Sequence, residues 1–138
     1  MKISAHIQNG RGKNEVTLQT NDSKHSITIP SKQTGYGSST NGGELLFLAL
    51  ATCYCNDIYR EAAKRKINVT NIDITVLGDF GAEGEPAKNV TYSAKVKADA
   101  SESEIQDLML HTDKVAEIQN TLRVGIPVTL NQIEVISV

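Results

Sequence analysis

The chain has 138 residues, 39% hydrophobic and 22% charged, and carries a formal net charge of -2 at pH 7. That length supports one domain with a real core, and the composition is globular rather than disordered. The 14 basic residues are spread among 16 acidic ones, so no basic face exists to neutralise a nucleic-acid backbone, and no apolar run approaches the roughly 20 residues of a membrane span.

The first thirty residues alternate in the manner of strands. "KISAHIQN" and "NEVTLQT" flank a glycine-rich turn at Asn9-Gly10-Arg11-Gly12, which predicts a hairpin, and "KHSITIP" follows, closed by Pro30. Residues 31–43, "SKQTGYGSSTNGG", read as a polar loop. No Lys-Ser or Lys-Thr follows its glycines, which excludes a Walker-type phosphate loop. From Glu44 to about Lys66 the chain is rich in Leu, Ala and Glu, free of Gly and Pro, and basic at its end, which predicts a helix.

"NVTNIDITVLGDF" then reads as a strand, "GAEGEP" as a turn and "KNVTYSAKVKAD" as the antiparallel partner. Ser101 and Glu104 have the spacing of a capping box, so a second helix is predicted from Ser101 to about Arg123, stopped by Gly125 and Pro127. "PVTLNQIEVISV" closes the chain as a last strand. The order β-β-β-α-β-β-α-β predicts a single α+β domain over residues 1–138. The N-terminal "MKISAHIQNGRGK" lacks the apolar stretch of a secretory leader, so a cytoplasmic location is expected. In that reducing compartment a permanent disulfide is not expected.

Both cysteines lie in "ALATCYCNDIY", residues 49–59. On a helical wheel Leu48, Ala51, Cys55, Ile58 and Ala62 fall in one stripe about 80° wide, and Cys53 lies ~160° from Cys55. The stripe predicts Cys55 as a packing residue. Cys53 shares its face with Ala49, Asp57 and Arg60, an apolar-to-polar gradient that suits a helix wall beside a cleft. Diverging Cβ atoms disfavour a disulfide. A Cys-x-Cys metal site needs converging sulfurs and further ligands; the chain has no other Cys, and His6, His25 and His111 are far apart in sequence. The expectation is therefore no metal and no cofactor.

In the second helix Ile105, Leu108, Met109, Thr112, Val115, Ala116, Gln119 and Leu122 follow the spacing of a buried face, with His111 at its edge. The first helix, almost wholly apolar from Leu45 to Cys53, needs cover on both sides, which a dimer can provide.

"GGELLFLALATC", "NDIYREAAKRKINVTNIDITVLGDF" and "AEIQNTLRVGIPV" resemble segments of the OsmC/Ohr family of small thiol-dependent peroxidases and their relatives. The resemblance implies an α+β OsmC-like fold: N-terminal antiparallel strands, two long helices packed against β-sheet, and an intertwined homodimer. It also implies an organic hydroperoxide reductase in which Cys53 is the peroxidatic nucleophile and Arg11, from the N-terminal hairpin, assists. The family's resolving cysteine falls at Ala116, so an external thiol reductant would have to close the cycle. The glutamate that holds the family's arginine falls at Gly43, with Glu44 one residue late. Asp57, one turn beyond Cys53, would raise a nearby thiol's pKa, and Arg60 or Arg11 would offset it. The alternative reading is a non-catalytic dimer of the same fold that binds a small apolar ligand or acts in stress.

Overall fold

The computed structural model describes residues Met1–Val138, which divide into two compact units, Met1–Leu46 and Phe47–Val138.

In the first unit β1 (Ile3–Gly10), β2 (Lys13–Thr20) and β3 (Ser23–Ile27) form an antiparallel sheet in the order β1-β2-β3. Gly10 pairs with Lys13, so Arg11 and Gly12 alone make the first turn. Gly12 takes a φ of 68° there, a conformation that costs glycine little. Asparagine side chains fasten the following loop to the hairpin: Asn14 Nδ2 donates to the Ile29 carbonyl at 2.8 Å, and Asn9 Oδ1 accepts from the Gly37 N–H at 2.9 Å. The long helix α1 (Gly42–Lys64) starts in this unit. Asn41 and Glu44 cap it reciprocally: Asn41 Oδ1 accepts from the Glu44 N–H at 2.8 Å, and Glu44 Oε1 accepts from the Asn41 N–H at 3.0 Å.

The second unit contains the rest of α1, the strands β4 (Asn68–Asp79) and β5 (Lys88–Asp99), and the helices α2 (Glu102–Val115) and α3 (Glu117–Val124). β4 and β5 pair antiparallel along their length, with register shifts between Val69 and Asn71 and between Leu77 and Asp79. Their alternation places Ile72, Ile74, Tyr92, Ala94 and Val96 on one face, packed against a core of Tyr54, Ile58, Ala62 and Leu108. Tyr54 ties the layers together. Its hydroxyl donates to the Met109 carbonyl at 2.8 Å, and its ring meets Tyr92 edge-on at 5.0 Å. The predicted capping box is present, with the Ser101 hydroxyl accepting from the Glu104 N–H and the Glu104 carboxylate from the Ser101 N–H.

Three expectations are corrected. The second predicted helix is two helices, because Ala116 leaves helical geometry at φ -71° and ψ 111°. The break is stable because α2's free terminal carbonyls find donors beyond it: Arg123 Nη1 on the Asp113 carbonyl and Asn120 Nδ2 on the Lys114 carbonyl, each at 3.0 Å. The predicted buried face persists across the break in Leu108, Thr112, Ala116 and Gln119, but Leu122 is exposed.

The buried line of α1 is also rotated from the predicted stripe. Ile58 and Ala62 are buried as expected, but Leu48 is 60% exposed, and Ala51 and Cys55 are only half-buried. Leu50, Tyr54, Asp57 and Glu61 are buried instead. Asp57 and Glu61 lie outside the predicted stripe, and they are buried because Arg60, Lys64 and His111 meet their charges.

The last predicted strand is absent. Residues 126–138 have no regular structure, and Ile126, Val128, Leu130, Ile133 and Val135 are exposed. The segment has the alternation of a strand, but it pairs with neither sheet, so its backbone gains no ladder hydrogen bonds and alternation alone does not make it a strand. No helix is long and apolar enough to cross a membrane.

Candidate functional site

Cys53 and Asp57 are one turn apart on α1, so helical geometry alone puts their side chains together. The Cys53 thiol donates to Asp57 Oδ2 at 3.5 Å. A second carboxylate comes from far along the chain, with Glu117 Oε2 3.9 Å from Cys53 Sγ. The break at Ala116 is what delivers it. Ala116 is fully buried and has no side chain to cap α3, so Glu117 opens the new helix, and the Ile118 N–H of its first turn is near enough to pull the Cys53 thiol's pKa down.

Arg60 binds the far side of both acids. Its Nη1 lies 2.9 Å from Asp57 Oδ1 and 3.1 Å from Glu117 Oε1, and its Nε lies 3.1 Å from Glu61 Oε1. Glu61 is held in addition by Lys64 at 3.0 Å and by His111 Nε2 at 3.5 Å. A charged row thus runs from His111 on α2 through Glu61, Arg60 and Asp57 of α1 to the thiol. α3 is fixed beside it by Gln119 Nε2, which donates to the Leu50 carbonyl at 2.9 Å.

Burial is the main force raising the Cys53 thiol above its ordinary pKa; the Ile118 N–H pulls it partly back, and Asp57 and Glu117 add to the rise. Burial and then Glu117 also push Asp57 up, against the opposing pull of the thiol and Arg60. Glu117 moves the other way, lowered by its own N–H at the start of α3 and by Asp57. The two carboxyls therefore share protons unequally, with Asp57 the better proton holder. Lys64 first, and Arg60 after it, hold Glu61 below the usual carboxylate range.

The sequence-predicted residues are placed as follows. Cys53 is half-buried in the acid cluster. Cys55 is also half-buried and takes no part in the cluster. Arg11 is exposed at the β1–β2 turn and forms no ion pair with a carboxylate. Glu44 spends its carboxylate on the α1 cap. Ala116, where the resemblance places a resolving cysteine, is the buried residue immediately before Glu117. Glu117 itself was not singled out from sequence. Its signal was its place next to Ala116, but the direction of its side chain depends on a helix break that periodicity did not reveal.

The fold and site define a small α+β protein with a half-buried thiol on its long central helix, beneath the start of a later one. The family model described as OsmC-like protein matches residues 35–131, and the chain belongs to that family. Solved structures similar to it include an organic hydroperoxide resistance protein OsmC from Legionella pneumophila, 20% identical, covering 89% of this chain and 90% of that one at a TM-score of 0.58. The organic hydroperoxide resistance protein OhrB of Bacillus subtilis is 19% identical, with 91% and 93% coverage and a TM-score of 0.55. An OsmC-like protein from Mycoplasma pneumoniae is 17% identical, with 88% and 89% coverage and a TM-score of 0.59. No curated protein sequence matches the chain.

Proposed function

We propose that the chain reduces organic hydroperoxides with Cys53 as the nucleophile, an external thiol closing the cycle. The observation that carries this reading is the half-buried Cys53 thiol with a proton acceptor, Asp57 Oδ2, at 3.5 Å. Membership of the OsmC-like family and the hydroperoxide-resistance names of two structural neighbours support it.

In this mechanism the thiol passes its proton to Asp57 as sulfur attacks the distal peroxide oxygen. The O–O bond breaks, the leaving alkoxide takes the proton from Asp57, and the products are an alcohol and a Cys53 sulfenic acid. An external thiol then forms a disulfide with Cys53 and releases water. A second thiol attacks that disulfide, freeing Cys53 and leaving with the first as a disulfide. Ala116 supplies no sulfur for an internal route. Arg60 positions the two carboxylates, and Arg11 is retained as the second assisting cation. The exposed alternating apolar residues of 126–138 support a homodimer in which this segment is covered, and a cytoplasmic location fits the need for a reducing thiol pool.

The raised Cys53 pKa favours a second reading, a non-catalytic homodimer of this fold that binds a small apolar ligand. It holds the thiolate fraction at pH 7 below the few per cent of a free cysteine. Cumene hydroperoxide consumption with a small thiol reductant separates the two. The enzyme reading expects loss that disappears in Cys53→Ser, persists in Cys55→Ser and falls in Arg11→Ala. Equal background loss in the parent and both serine variants leaves the binding reading.

A further inference from the structure

Sulfurs and imidazoles alone do not make a metal site in this chain; the fold supplies carboxylates instead. Cys53 Sγ and one oxygen each from Asp57 and Glu117 all lie within 4.8 Å of one another. The sulfur is 3.5 Å from Asp57 Oδ2 and 3.9 Å from Glu117 Oε2. A tetrahedral zinc ion, with bonds of about 2.3 Å to sulfur and 2.0 Å to oxygen, requires sulfur–oxygen separations of about 3.5 Å. The two sulfur–oxygen separations therefore stand close to the edges of such a tetrahedron before any ion is bound, and the two carboxylate oxygens lie within 4.8 Å of each other.

The outer oxygens of both carboxylates are held from behind. Arg60 Nη1 takes Asp57 Oδ1 at 2.9 Å and Glu117 Oε1 at 3.1 Å, while the oxygens nearest the sulfur are Oδ2 and Oε2. The guanidinium thus orients both carboxylates from behind and leaves their inner oxygens turned toward the thiol, the role that outer-shell partners play around metal ligands. Arg60 is divided among three carboxylates, Glu61 included, so the cluster has more negative than positive charge even with the thiol protonated. Binding a divalent cation releases the thiol proton to solvent. One thiolate and the Asp57 and Glu117 carboxylates then balance that cation and Arg60, while Lys64 offsets Glu61.

We propose that Cys53, Asp57 and Glu117 form a binding site for a zinc-class divalent cation, with Arg60 orienting the two carboxylates. A thiolate donor selects a borderline-soft ion over magnesium or calcium, and three protein ligands leave a fourth position for water. Asp57 is buried and Glu117 exposed, so the ion enters from the Glu117 side. The site does not depend on the peroxidase reading. A bound ion occupies the same sulfur, so cation binding and peroxide reduction exclude each other.

The test titrates chelator-treated protein with Co2+ and follows the thiolate-to-cobalt charge-transfer band in the near ultraviolet. One equivalent is expected to saturate the band, and Zn2+ to remove it while Mg2+ does not. Cys53→Ser is expected to abolish the band, Cys55→Ser to retain it, and Glu117→Gln to weaken Co2+ binding about tenfold or more. Circular dichroism of each variant checks that it is folded, and Glu117 is the principal variant because its exposure makes misfolding on replacement least expected. No band in the parent protein, or a band that survives Cys53→Ser, overturns the proposal. The hydroperoxide assay is run on chelator-treated protein, so failure of either reading leaves the other standing.

Discussion

Gln119 Nε2 donates to the carbonyl of Leu50 at 2.9 Å, joining α3 to α1 one turn before Cys53. The amide is buried, and its Oε1 has no partner. The bond therefore holds α3 where Glu117 and the Ile118 N–H reach the thiol, at the cost of an unpaired acceptor. Gln119→Ala is expected to lose about 1–3 kcal/mol of stability, from the lost bond and the space left behind. Urea denaturation measures it, and an unchanged midpoint would show that the bond does not hold α3.

The Glu117 carboxylate helps to keep the Cys53 thiol protonated. Replacing it with a neutral amide removes a like charge, so the thiol pKa falls and the thiolate fraction at neutral pH rises. Glu117→Gln is expected to alkylate at Cys53 faster than the parent at pH 7 in chelator-treated protein, with the Cys55→Ser background isolating the signal. A slower rate than the parent's would reverse the sign of this assignment.

Gly78 is a packing requirement. A Cβ there meets Phe47 Cζ at 2.5 Å and Val90 Cγ2 at 3.1 Å. The ring of Phe47, which faces Phe80 with centroids 5.9 Å apart, must shift to make room. Gly78→Ala is expected to destabilise by about 1–3 kcal/mol, through overpacking rather than loss of backbone freedom. Thermal melting checks the direction, and a Phe47→Ala background should recover part of the loss.

Asp113 links α2 to β5 and α3, accepting from the Tyr92 hydroxyl and pairing with Arg123 Nη2 at 2.6 Å. Burial pushes its carboxyl upward, but the Tyr92 and Arg123 hydrogen bonds and the Arg123 charge outweigh that and leave it below its ordinary value. A carboxyl lowered in the folded state adds stability that is fully present above its unfolded pKa of about 3.9 and is lost as pH falls through the folded value. Asp113→Asn is expected to be less stable than the parent at pH 7 by about 1 kcal/mol, a modest figure because both partners are partly solvated. The gap should narrow as denaturation is repeated from pH 5 downward; a gap independent of pH would assign the effect to shape alone.

Local signals explain what was readable in advance. The β4 and β5 alternation, the Arg11–Gly12 turn and the Ser101–Glu104 cap each depend on residues within a few positions of one another, and all three are present. The same reasoning placed Cys53 apart from a packing role. The predicted stripe of α1 did not include Asp57 and Glu61, which are buried because Arg60, Lys64 and His111 satisfy Glu61 and Arg60 also satisfies Asp57. Periodicity also carried one helix through Ala116, where no glycine or proline marks a stop. That break is stabilised by Arg123 and Asn120 reaching back to α2's carbonyls.

By itself the sequence determined β1 to β5 and the Ser101–Glu104 cap, because these follow from hydrogen-bonding and packing periods of two to four residues. Tertiary structure alone decided what Cys53 faces. Its second carboxylate lies 64 residues away, and only the break at Ala116 and the Gln119–Leu50 bond put it there. The alternating apolar tail is strand-like in pattern, yet a pattern specifies one face of a strand and not the edge that must satisfy its backbone hydrogen bonds.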